Sequence, residues 1–183
     1  MLVTGPRIIL LVAVATVAAS SAPPPAFRVV LLPAPLEDSM AAVWVSNNRH
    51  WDELGDQNFL QQALGTGKPT QHEYLGCLVG EVHGDTLWVR GLEPAIHLRQ
   101  LQFAVAGDCD PVAHLVGTWH THPYRASLAG TPLKERGLSP QDLATFADAS
   151  DLVSIVMWDR DSLDVAARTP DGHIVHPAPF IVR

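Results

Sequence analysis

The sequence predicts an α/β chain of the α+β kind, in which strands dominate and helices stand before and between them. Short apolar runs rich in Val, Leu and Ile recur along the chain, punctuated by Gly, Pro and Asp, which is the pattern of strands joined by turns. Only two stretches carry the looser spacing of a helix, around 57–64 and 139–149. Hydrophobic residues make up 47% and charged residues 17% of 183, an ordinary globular composition that suits one domain with a real core.

The first segment stands apart. It reads MLVTGPRIILLVAVATVAASSAPPPA. Arg7 supplies a positive n-region, Ile8 to Ala19 is apolar apart from Thr16, and Ser20, Ser21 and Ala22 offer small residues for cleavage. The run is shorter than the ~18 residues a membrane-spanning helix needs. The expected organisation is a signal peptide over 1–22, an N-terminal extended segment with the first strand over 23–49, and the main domain over 50–183. The expected location is secreted or periplasmic, without a stable membrane span.

Along the rest of the chain, Phe27 to Leu32 reads as a first strand ended by Pro33, and Met40 to Val45 as a short apolar stretch. A helix is expected over 57–64, broken by Gly65, Gly67 and Pro69. Tyr74 to Val82 reads as a buried strand, with Thr86 to Leu92 as its hairpin partner across Gly84 and Asp85. Leu101 to Ala106 reads as one strand and His114 to His122 as the next, stopped by Pro123. Residues 124–138 read as a loop and Ser139 to Ala149 as a helix. Leu152 to Trp158, Ser162 to Arg168 and His173 to Val175 read as the last strands.

The formal net charge of −7, with no basic stripe, argues against a nucleic-acid partner and against electrostatic attraction to an anionic membrane surface. Cys77 and Cys109 are the two cysteines; in an oxidising compartment they can pair, and a buried free thiol is as ordinary a reading for Cys77. No CxxC spacing exists, which excludes a cysteine zinc site.

Three features carry chemistry. His120 and His122 flank Thr121 on a strand, so both imidazoles point to one face and can reach one metal ion. Ser139-Pro140-Gln141-Asp142 is a good helix start, with Ser at the N-cap, Pro first and an acid three residues on. A carboxylate there can also be a third ligand, and two histidines plus one carboxylate leave the open position of a catalytic zinc site. Glu73 heads a strand too apolar to need a charge, and zinc-assisted hydrolysis needs a carboxylate to move the proton of the attacking water. Glu81 competes for that role but reads better as a hairpin-tip charge. The other seven histidines, at 50, 72, 83, 97, 114, 173 and 176, lack partners at ligand spacing; His72 adjoins Glu73.

Together, Glu73 leading an apolar strand to Gly80, His120-Thr121-His122-Pro123, and Ser139 to Asp142 opening a helix resemble, in that order, the JAMM (MPN-type) metalloprotease family. The resemblance covers roughly 50–183. It implies a mixed β-sheet flanked by helices, the cytidine-deaminase-like JAMM/MPN fold. It implies one zinc ion per chain on His120, His122 and Asp142, Glu73 as general base and then acid, and Ser139 as hydrogen-bond donor to the developing oxyanion. The departure is the spacer: the family has a short one between the HxHP proline and the serine, and here Tyr124 to Leu138 fill it. That insertion carries Tyr124, Arg125, Lys134, Glu135 and Arg136, and is either a substrate loop or lid, or a tolerated surface loop.

The functional expectation is an exported zinc metallopeptidase or isopeptidase acting on a peptide, an isopeptide-linked substrate or a protein. The alternatives are a non-catalytic scaffold of the same fold and a metal-binding protein; the latter would not require Glu73.

Overall fold

The computed structural model describes residues 29–48, 71–101, 103–126, 132–169, 172–177 and 179–182. The expected leader, its cleavage point and the helix expected over 57–64 lie outside these residues.

The described residues are mostly β, with a curled mixed sheet and two helices. Strand β1 (Val29–Pro33) runs directly into helix α1 (Ala34–Asn47). Then come β2 (Leu75–His83), β3 (Thr86–Pro94), β4 (Ile96–Leu101), β5 (Ala104–Asp108), β6 (Leu115–Thr121), β7 (Arg125–Ala126) and β8 (Pro132–Leu133). Helix α2 (Pro140–Asp148) follows, and β9 (Val153–Asp159), β10 (Ser162–Arg168), β11 (Ile174–Val175) and β12 (Pro179–Val182) complete the order.

Eight strands form one sheet in the order β11-β10-β9-β6-β2-β3-β1-β12. β1 is parallel to β3 and β12, β6 is parallel to β9, and the remaining pairs are antiparallel. Contact between β10 and β12, far apart in that order, shows how strongly the sheet curls. The β2–β3 hairpin closes at Gly84, whose φ of +62° is easy for glycine and strained for other residues.

Residues Met40 to Val45, an apolar stretch without an assigned element from sequence, lie inside α1. The helix starts with Ala34 and Pro35, where proline is tolerated because the first amides have no intrahelical partner. Met40, Trp44 and Asn47 are buried, one face at i, i+4 and i+7. Ala41, Ala42, Val43 and Val45 spread apolar character around the rest of the helix, which hides its period.

A second difference lies at Leu101 to Ala106. That stretch is not one strand: β4 ends at Leu101 and β5 begins at Ala104, so the chain turns within it. The β4–β5 ribbon is a sheet of its own, and β4 is exposed at every position except the partly buried Leu98. The loop expected over 124–138 also holds a short ribbon, β7–β8. β12, which no sequence pattern flagged, adds an edge strand beside β1.

β9 is sandwiched between two cores. Val153, Ile155 and Met157 join α1's Met40 and Trp44 in the larger core, while Val156 packs with Phe146 of α2. Successive side chains of a strand point to opposite faces, so a strand covered on both reads as a continuous apolar run. His120 of β6 pairs in register with Val156, which puts the metal-binding sequence beside this two-faced strand.

Candidate metal centre

β6 delivers the two histidines. Thr118 and His120 line the face turned towards α2, while Trp119 enters the core under α1. That arrangement depends on Gly76: a Cβ built there would lie 2.3 Å from Trp119 Nε1, so only glycine leaves the indole its place. His122 sits one step past the strand, yet its amide still donates to Met157 O at 3.0 Å, extending the ladder with β9. Its carbonyl accepts from Trp44 Nε1 at 3.1 Å. The next turn is held by α1 as well, since the Tyr124 amide donates to Asn48 Oδ1 at 3.0 Å and the Tyr124 ring packs edge-on against Trp44, 5.1 Å between centroids.

Helix α2 delivers the carboxylate. Ser139 caps it: the Asp142 amide donates to Ser139 Oγ at 3.2 Å and the Ser139 amide donates to Asp142 Oδ2 at 2.7 Å, a complete capping box. At the other end Arg168 donates to the carbonyls of Phe146, Ala147 and Ala149, satisfying the helix's terminal acceptors. The C-terminal end of α2 is therefore fastened to β10 of the sheet.

The three side chains converge. His120 Nε2 and His122 Nε2 are 3.1 Å apart; Asp142 Oδ1 is 3.4 Å from the first, and Asp142 Oδ2 is 3.2 Å from the second. A tetrahedral zinc ion with Zn–N bonds of 2.0–2.1 Å separates its ligand atoms by about 3.3–3.4 Å. The spacing fits such an ion, and the donor set of two imidazoles and a carboxylate suits it. An ionised carboxylate accepts at about four lone-pair sites, so the hydrogen bond from the Ser139 amide leaves Asp142 free to ligate. His120, His122 and Asp142 could thus hold a metal ion. Against this, His122 Nδ1 is buried and has no hydrogen-bond partner among the described residues.

Electrostatics follow from burial and from this clustering. Burial opposes the charge on Asp142, but hydrogen bonds from His120, His122 and Ser139 overcome it and hold the carboxyl well below the usual carboxylate range. Burial also opposes a charge on His122; the hydrogen bond and negative charge of Asp142, with Glu73 and Glu135 behind it, outweigh that and raise its pKa. The effect on the carboxylate is much the larger, because it receives all three hydrogen bonds.

Glu73 lies two residues before β2 and is buried, only 8% exposed. Burial pushes its carboxyl up to about 7; the charges acting on it most are His122, which lowers it, and Asp142, which raises it. Glu73, His120, His122, Ser139 and Asp142 all line one open cleft of about 1160 Å³. Ser139 Oγ accepts from the Asp142 amide, and the Ser139 side chain also hydrogen-bonds the Asp142 carboxylate. Glu81 lies elsewhere: it is exposed on β2 and paired with Arg90 at 2.7 Å. None of the other described histidines reaches the cleft.

The sequence named Arg125 and Glu135 within the insertion but left their place open, and it missed Trp44 and Phe103. Arg125 and Glu135 of the spacer, joined at 2.6 Å, enter the cleft wall, and the Arg125 guanidinium lies 4.6 Å over the Phe103 ring at the tip of the β4–β5 ribbon. The spacer thus contacts the cleft instead of hanging free of it. Trp44 was missed because its helix was missed. Cys77 and Cys109 form a disulfide, which decides between the two readings of the cysteines.

Neither a protein-family model nor a curated protein matches the sequence. The chain resembles a solved structure. It is a solution structure of a protein from Desulfitobacterium hafniense, 17% identical, with a TM-score of 0.48 over 84% of this chain and 93% of that one. No helix among the described residues is long and apolar enough to cross a membrane.

Proposed function

We propose that this chain is an exported zinc-dependent metallopeptidase or isopeptidase of the JAMM (MPN-type) family, with the cytidine-deaminase-like fold, hydrolysing an amide or isopeptide bond. The observation that carries the reading is the placement of buried Glu73, which is no ligand, in the same cleft as a His-His-Asp cluster at zinc spacing. A site that only stored metal has no use for a buried carboxyl whose pKa lies near neutrality, whereas general acid–base catalysis works best with such a group.

Zinc, when bound by His120, His122 and Asp142, supplies a Lewis acid that polarises the scissile carbonyl and eases deprotonation of water. The chain's own residues do the rest. Glu73 takes the proton of the attacking water and returns it to the leaving nitrogen. Ser139, in the cleft wall beside Asp142, donates its hydroxyl towards the oxygen on which negative charge develops. Arg125 and Glu135 border the substrate's path. The disulfide supports passage through an oxidising compartment and so agrees with the signal peptide expected over 1–22.

The test is zinc content and peptide hydrolysis on the same samples of wild type and Glu73→Gln. Turnover falls about 10²- to 10⁴-fold with zinc retained, the range of a general acid–base group. Full activity with full zinc in Glu73→Gln refutes the assignment, and stoichiometric zinc with no hydrolysis by wild type favours a non-catalytic scaffold.

A further inference from the structure

We propose that the Cys77–Cys109 disulfide is a positioning device for Glu73, acting through the β4–β5 ribbon. This deepens the function proposed above and rests on Glu73 being its proton-transfer group.

Two backbone hydrogen bonds hold Glu73, and both come from one short piece of that ribbon. The Glu73 amide donates to Leu101 O at 3.0 Å, and Gln100 Nε2 donates to the Glu73 carbonyl at 3.0 Å. On its other side the chain is tied to the metal-binding strand: the Tyr74 amide donates to Thr121 Oγ1 and the Thr121 amide to Tyr74 O, each at 3.0 Å. The direction of the Glu73 side chain is therefore set by the ribbon on one side and by β6 on the other.

The ribbon is the weaker of the two supports. It lies outside the eight-stranded sheet, and its strands are largely exposed. A lone two-stranded ribbon is at best marginally stable in water. What fastens this one is a small core at its base, made of Cys77, Ala95 and Cys109 with Leu75, Leu98, Val112 and Leu115 packed around it. Gly107 allows that contact to be close, since a Cβ there would lie 2.9 Å from the Ala95 Cβ. The disulfide is the covalent part of the fastening. Cys77 is in β2, four residues after Glu73, and Cys109 directly follows β5, so the bond closes a 32-residue separation that contains the whole ribbon. Such a cross-link restricts the opened chain and favours the docked ribbon. None of the three metal ligands lies in this unit: they sit on β6, just beyond it, and on α2. The structure thus separates the support of the metal from the support of the proton-transfer group.

The test uses the full mature chain with two variants, Cys77→Ala/Cys109→Ala and Gln100→Met, the second cutting the clamp without touching the cross-link or its core. Amide hydrogen exchange is followed at Glu73 and at His122, with zinc stoichiometry alongside. Expected are a Glu73 amide that exchanges about tenfold faster or more, a His122 amide held by Met157 that keeps its protection, and one zinc retained. Hydrolysis of a mixed-sequence peptide pool falls about tenfold or more in kcat with KM unchanged, as misplacement of a catalytic group does. In a Glu73→Gln background the same changes cost nothing further, because the coupling runs through Glu73. Unchanged exchange at Glu73, or equal acceleration at Glu73 and His122, overturns the proposal: the first shows the ribbon stays docked without the bond, the second that the bond only holds the fold together. Full hydrolysis by Glu73→Gln alone overturns the function proposed above instead, and leaves the exchange result standing.

Discussion

Glu73 makes a prediction about stability that needs no substrate. Its carboxyl titrates at about 7 in the folded protein against 4.5 for an ordinary glutamate, the dominant cause being burial. The folded state therefore holds a proton that the unfolded chain has already released, and stability of the metal-free protein falls as pH rises from about 4.5 through about 7. At 1.36 kcal/mol per pH unit, the cost of ionising Glu73 is below about 1 kcal/mol at pH 5 and reaches about 3 kcal/mol at pH 8. Glu73→Gln removes that cost. For a chain of this size the variant should melt roughly 6–12 °C higher than wild type at pH 8, with a much smaller gap at pH 5. The assay is thermal unfolding of chelator-treated wild type and variant at both pH values. A gap that does not widen with pH, or a variant less stable at pH 8, would refute the reasoning. Saturating zinc should shrink the gap, since a nearby dication favours the carboxylate form.

The remaining predictions concern the metal, the sheet and the amino terminus. A His120→Ala/His122→Ala variant should fold yet lose stoichiometric zinc by elemental analysis, and zinc kept at one per chain would place the metal elsewhere. Gly117→Ala should cost about 3 kcal/mol or more in urea unfolding, because its Cβ would lie 1.8 Å from the Val153 carbonyl oxygen and force β6 from β9. A midpoint within about 0.5 kcal/mol of wild type would contradict that geometry. Amino-terminal sequencing of exported protein should begin after Ala22; a sequence starting at Met1 would remove the signal peptide.

What could be read from sequence was what local chemistry writes locally. Gly84 and Asp85 between two apolar runs fixed the β2–β3 hairpin, and the period of two put His120 and His122 on one face. Ser139-Pro140 announced α2, with the capping box visible in the spacing to Asp142. Other elements depend on partners distant in sequence. α1 is apolar nearly all round, so no period marks it, and Trp44 acquires its role only by reaching His122. Leu101 to Ala106 read as one strand because the turn around Phe103, between β4 and β5, lies among apolar residues instead of at glycine or proline. The hold of Leu101 and Gln100 on Glu73 spans more than twenty residues and has no local signature.

The capping box at the start of α2 bears on how a metal would come and go. The carboxylate that faces the two imidazoles is pinned by the Ser139 amide, a bond belonging to the helix and not to any cation. The histidines are likewise fixed by a strand and by Trp44. In zinc fingers the ion assembles its ligands from a disordered chain, and its binding energy is the folding energy. Here the ligands are arranged by the fold itself, so an arriving ion orders almost nothing. Chelation should empty such a site without dismantling the protein, and refilling should proceed without refolding.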